Sequence, residues 1–284
     1  MATTQQPDYY VPAPSWWPFK GAVALFGIGL GAALLVNSVP FSWVPLAIGV
    51  AILLWMLFGW FGDVIRESEG GVYSKRVDIS FRWGMGWFIF SEVMFFAAFF
   101  GTLYYLRSIS VPELGNMEHK ILWPDFKAMW PMSVAPNGTE PYQVMGPWGL
   151  PAWNTLILLT SGVTLTWAHW GMMENKRGQL KLGLLLTVLL GALFLGLQVY
   201  EYAHAWGDLG LTMASGVYGA SFYMMTGFHG MHVFIGALML AVMYFRSVKG
   251  HFTAEHHFAF EAAAWYWHFV DVVWLILFVF VYWL

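Results

Sequence analysis

The sequence predicts an all-α, polytopic membrane protein with seven transmembrane helices. Three observations carry that expectation. The 284-residue chain is 59% hydrophobic and only 10% charged, with a mean hydropathy of +0.59, whereas a soluble domain carries about 25% charged residues. Its apolar residues gather into seven stretches, each near or above the roughly 20 helical residues that cross a bilayer core. Its cations fall on alternate connections between those stretches, which is the positive-inside pattern.

Residues 1–16 read as an extended tail, polar and Pro-containing, with no charged segment ahead of an apolar core and so no signal peptide. Trp16, Trp17 and Lys20 suit an interfacial anchor. The first span is expected over Pro18–Val36, where Gly27 and Gly31 form a small-residue face. A tight turn at Asn37–Pro40 leads to the second span, Trp43–Phe61, and a polar loop runs from Asp63 to Arg82. The third span, Trp83–Leu106, holds Glu92 near its middle. Prolines from Pro112 to Pro147 mark a long extramembrane connection over 107–148. The fourth span, Ala152–Met172, is studded with Asn154, Thr155, Thr160, Ser161, Thr164, Thr166 and His169. The fifth, Leu182–Tyr202, ends in Gln198, Glu201 and His204, and the sixth, Tyr218–Tyr244, contains His229 and His232. A His-rich connection from Arg246 to Phe260 precedes the last span, Phe258–Leu284. With the N-terminus inside, ten Lys and Arg residues lie on the inner side and three on the outer, Arg107, Lys120 and Lys127.

Composition excludes several functions. Without cysteine there is no disulfide, thiolate metal site or Cys nucleophile. No basic run tracks phosphates, so nucleic acid is not a partner, and no phosphate loop or Ser/His/Asp arrangement is present. Glu92 is the leading candidate for chemistry, because a mid-membrane carboxyl with no cation within two turns is costly when charged. It is either a neutral acid bonded to a neighbouring helix or a proton-handling group. His229 and His232 share a face of the sixth span, with His268 at similar depth on the last; Glu92, His232, His268 and Asp271 read as a packed polar layer, and His229 and Glu261 join the polar seam between helices. Along the last helix Glu261, His268 and Asp271 share one sector, spread over about 80°. The bulky neighbours Phe228, Phe234, Trp265 and Trp267 disfavour a haem cavity around these histidines. His251, Glu255, His256 and His257 match no zinc spacing, so no metal is expected. Arg66, Lys75 and Arg246 are placed for lipid headgroups.

Five segments carry a resemblance: FGDVIRESEGGVYSKRV (61–77), RWGMGWFIFSEVMFFAAFF (82–100), LLTSGVTLTWAHWGMMEN (158–175), GVYGASFYMMTGFHGMHVFIGA (216–237) and HFTAEHHFAFEAAAWYWHFVDVVWL (251–275). In order and spacing the chain resembles subunit III of the haem–copper cytochrome c oxidases. That resemblance implies a two-helix unit (17–63) and a five-helix unit (83–284) separated by a lipid-filled cleft and joined by a cytoplasmic loop (64–82). It implies a non-redox subunit of the aerobic respiratory chain that binds no metal. Such a subunit packs on subunit I, which carries haem and copper, within a complex that includes subunit II. It holds structural phospholipids, supports proton uptake and protects against turnover inactivation. Glu92 then matches a carbodiimide-reactive carboxyl, and Trp60, Phe88 and Arg246 match lipid-lining positions. Where the family has a Trp pair and an Arg, this chain has Trp60, Phe61 and Gly62. The length of the outer loop resembles bacterial members, which implies a bacterial inner membrane with a cytoplasmic N-terminus and a periplasmic C-terminus. Three alternatives stand beside this reading: a quinol-type oxidase subunit III, a b-type haem membrane cytochrome and a secondary transporter. The first lacks the two leading helices, and the last is disfavoured by the absence of inverted repeats.

Overall fold

A computed structural model of the chain describes residues 10–122, 124, 126–131 and 142–284. Residues 1–9 of the expected tail, and 123, 125 and 132–141 of the expected outer connection, lie outside the described residues. The described residues are helical, without strands, and fall into two compact units, Met1–Trp83 and Gly84–Leu284.

The first unit contains helices α1 (Trp17–Val36) and α2 (Trp43–Glu69) and the start of α3 (Lys75–Tyr105). α1 and α2 form a hairpin that packs on glycine. A Cβ at Gly31 would lie 2.5 Å from the Leu46 backbone nitrogen, and one at Gly49 would lie 2.6 Å from that of Ile28. No side chain fits between the two backbones there, which is how small residues hold membrane helices together.

The stretch expected as a loop over 64–82 is helical except for Gly70–Ser74. Polar residues do not stop a helix once it has left the hydrocarbon. Arg66 pairs with Asp63 at i,i+3, and Arg82 donates to Asp78 at 2.9 Å at i,i+4, spacings that support helix. The break comes at Gly70–Gly71, where Gly71 has φ +67°, a conformation that glycine adopts without strain.

The second unit takes the rest of α3, a π-helical turn Leu106–Ser110, the single turn α4 (Val111–Leu114) and the long helices α5 (Leu150–Met173), α6 (Arg177–Gly207), α7 (Gly216–Val248) and α8 (Phe258–Leu277), which ends in a second π-helical turn, Phe278–Trp283. α5 packs on α6, α6 on α7, α7 on α8, and α8 returns to α5. α5 ends in a Schellman motif: Asn175 has φ +57°, and the Lys176 and Asn175 amides donate to Gly171 and Met172 carbonyls. α3 meets α7 and α8 through large rings, Phe95 on Phe228 and Phe96 against Phe269.

Six of the seven long helices among the described residues are apolar enough to cross a membrane. α5 has the length, at 24 residues, or about 36 Å, but not the mean hydropathy. Its polar residues lower the mean, and the structure turns the most polar of them inward. Asn154 and Ser161 are fully buried, while its exposed positions are Trp153, Leu156, Leu159, Val163, Trp167, Trp170 and Met173, with Thr160 alone among them polar.

Candidate functional site

Glu92 on α3 meets His232 on α7. His232 donates from Nδ1 to the Phe228 carbonyl at 2.6 Å, the carbonyl one turn back on its own helix. That bond fixes the ring and points Nε2 at Glu92 Oε2, 2.9 Å away. With Nδ1 already protonated, the short contact holds one further proton, on the carboxyl or on Nε2. Either form is neutral as a pair, which is what a low-dielectric interior tolerates. Phe96, Phe95 and Tyr266 enclose the imidazole at ring distances of 5.0, 5.8 and 6.4 Å. The pair's side chains are 7% and 22% exposed for His232 and Glu92.

The other residues of the expected polar seam have separate partners. His229, fully buried, donates from Nε2 to the Val270 carbonyl at 3.2 Å and lies on Trp274. His268 stands 3.7 Å from Asp271 and 3.5 Å from Thr166 Oγ1. Asp271 sits where α5 has Gly162, and a Cβ at that glycine would lie 2.5 Å from its Oδ2. Glu261 belongs to a different place. It lies 2.9 Å from His257 Nε2 at the start of α8, with His169 of α5 beside them. The donor atoms of His169, His257 and Glu261 are within 4.8 Å of one another, a grouping of the kind that could hold a metal ion. Of the histidine cluster considered from sequence, His251, Glu255, His256 and His257, only His257 belongs to this grouping.

Of the residues considered for lipid, Trp60 and Arg66 both line one cavity of about 1400 Å³ within the first unit. Its polar wall is Asp63, Arg66 and Glu67, and Leu25 and Met56 supply apolar surface. Asp63 accepts the Trp17 indole N–H at 2.6 Å. Phe88 stacks on Tyr266 in the second unit at 6.1 Å. Arg246, 7% exposed, lays its guanidinium over Phe252 at 4.7 Å.

Sequence reasoning passed over several buried polar contacts. Trp267 donates to Ser161 and Trp274 to Thr155, both at 2.9 Å, and Tyr282 donates to Glu201 at 2.6 Å. The partners in these pairs are 81 to 119 residues apart, and nothing in a single sequence joins them. Glu201 itself was visible as a carboxyl in an apolar stretch, the same signal that singled out Glu92.

Long apolar helices, a polar interior built from side-chain pairs and a neutral carboxyl–imidazole contact define an integral membrane protein of the helical-bundle class. The family model described as cytochrome c oxidase subunit III matches residues 7–284. Proteins named cytochrome c oxidase subunit 3 are similar along nearly their whole length. The one from Tetraodon nigroviridis is 44% identical over 277 residues, covering 97% of this chain and 96% of that protein. The one from Scyliorhinus canicula is 44% identical over 280 residues, covering 98% of each. The one from Marchantia polymorpha is 40% identical over 284 residues, covering 100% and 98%. The chain belongs to the cytochrome c oxidase subunit III family, whose members are non-redox subunits of an oxidoreductase complex. Membership in it displaces the haem-cytochrome and transporter alternatives.

Proposed function

We propose that this chain serves a cytochrome c oxidase by stabilising its catalytic subunit. It packs on subunit I, which carries the haem and copper, shares the complex with subunit II, and binds structural phospholipids without contributing a redox ligand. The observation that carries this reading is the family match over residues 7–284. The oxidase depleted of this chain is expected to begin oxygen reduction normally and to stop after fewer turnovers. An undiminished number of turnovers without the chain overturns the proposal.

Glu92 is the proposed carbodiimide-reactive carboxyl, since its contact with His232 supplies the proton that activation by a carbodiimide requires. Labelling by a hydrophobic carbodiimide is expected to be lost in Glu92→Gln, and labelling that persists in the variant removes Glu92 from the role. Lipid contact is proposed for Trp60 and Arg66, which share a cavity with an apolar wall and a charged end, and for Phe88 and Arg246. The ten-to-three distribution of cations supports an inner N-terminus and an outer C-terminus. The membrane we propose is a bacterial cell membrane. The fish and liverwort relatives favour an organellar membrane as the second reading, with the same orientation. The quinol-type alternative is disfavoured by α1 and α2. Oxidation of reduced cytochrome c, rather than of a quinol, by the purified complex would separate the two.

A further inference from the structure

A second buried carboxyl lies near the C-terminal end of α6. Glu201 has no exposed surface. Its Oε1 accepts the Tyr282 hydroxyl at 2.6 Å and the Gln198 amide at 3.4 Å. Its Oε2 is enclosed and has no protein donor, and the same is true of Gln198 Oε1. Acceptors therefore outnumber donors in a sealed pocket. A bare carboxylate there would keep its charge with every donor on one oxygen, an arrangement that desolvation penalises heavily. One proton on Oε2 removes the charge and turns a surplus acceptor into a donor.

Among the described residues Glu201 has no ion-pair partner, and its hydrogen bonds come from Tyr282 and Gln198. Tyr282 of the C-terminal turn donates to it, and Tyr202, its neighbour in α6, packs on Tyr223 of α7 at 5.1 Å. His204 lies three residues further along α6. His204 in turn contacts Asp208 at 2.6 Å, and their side chains are 42% and 72% exposed. Glu201, His204 and Asp208 are spaced three and four apart, so they lie on one face of α6. The stripe runs from a sealed carboxyl, through a half-exposed imidazole, to a surface carboxylate.

We propose that Glu201 is a proton-binding site of the second unit, filled at rest and exchanging with solvent along α6 through His204 and Asp208. The surface carboxylate orients His204, the imidazole relays a proton inward, and Tyr282 and Gln198 fix the carboxyl that receives it. The site is separate from Glu92, whose proton is shared with His232, and it does not rest on the proposed role in turnover.

Infrared spectroscopy of the intact, purified membrane complex tests this directly. The protonated-carboxyl C=O band is expected to lose one component in Glu201→Gln. In Tyr282→Phe that component should move to higher frequency, because its carbonyl oxygen loses a hydrogen bond. After transfer to D₂O, the isotope shift of the component should slow by about a hundredfold or more in His204→Phe, the scale on which a positioned acid–base group contributes. A band unchanged in Glu201→Gln overturns the site. An exchange rate unchanged in His204→Phe overturns the route. If Glu201→Gln does not assemble, the position of the band in Tyr282→Phe decides, and an unmoved band counts against the site.

Discussion

The first unit has a seam, whereas the second has an interior. Two helices share a single line of contact, and the residues buried along α1 and α2 are Gly21, Ala24, Gly31, Gly49 and Met56. None of the residues buried along that line is polar. The polar contacts of that unit lie instead at its end, where Trp17 meets Asp63 and Tyr73 donates to Glu67 at 2.7 Å. The ring α5–α6–α7–α8 encloses a volume, and buried polar pairs appear inside it: Ser161 with Trp267, Thr155 with Trp274, Thr164 with Thr187 and Glu201 with Tyr282. Enclosure thus favours polar chemistry in this fold, because buried donors and acceptors there can find protein partners, with Glu201 Oε2 and the Asn154 amide among the exceptions. Close glycine packing is common to both units, since Gly191 and Gly236 make room for Trp267 as Gly31 does for Leu46.

The contrast can be broken at its strongest point by Trp267→Ala. The fully buried ring fills the space left by Gly191 and Gly236 and satisfies Ser161. Its loss is expected to cost about 3–5 kcal/mol, read as a lowered unfolding midpoint of the second unit. A smaller effect belongs to Gly31→Val. The new Cβ would meet the Leu46 backbone, which cannot rotate away, at a cost of about 1–3 kcal/mol, measured by thermal unfolding in lipid. Gly29→Val, where a Cβ meets nothing within 4 Å, is the control, and an equal loss there would dissolve the idea of a seam. The smallest effect is one of pH. Tyr142, outside the spans, stacks on Tyr218, and burial pushes its phenol up from 10.0 to about 12. The native state therefore holds this proton more tightly than the unfolded chain does. Its contribution is complete below about pH 10 and is lost as pH rises toward about 12. Tyr142→Phe should flatten that part of the stability profile.

What sequence could foresee divides along the same line. Seven helices follow from apolar length, and Gly27 and Gly31 follow from small-residue spacing. Glu92 stands out because a carboxyl in an apolar run is expensive. His232, 140 residues away, could be placed near it in depth but not paired with it, since pairing depends on rotation of two helices about their axes. The helical extensions of α2 and α3 across 64–82 were hidden by their charges, which look like a loop until the i,i+3 and i,i+4 pairs are seen to hold a helix. Glu201 carried the same signal as Glu92, but its place near a helix end made it look like a boundary residue.

The inward-facing polar side of α5 bears on how the chain is made. Presented alone to a bilayer, α5 would offer hydrocarbon the Asn154 amide and a Ser161 hydroxyl that donates to the Leu158 carbonyl but lacks the Trp267 indole, as well as its apolar face. Thr187, which shares a hydrogen bond with Thr164 at 2.8 Å, arrives only with α6, and the tight Asn175 turn brings that helix back within a few residues. The insertion machinery is therefore expected to release α5 and α6 together as a helical hairpin, with α8 completing the polar contacts when synthesis ends.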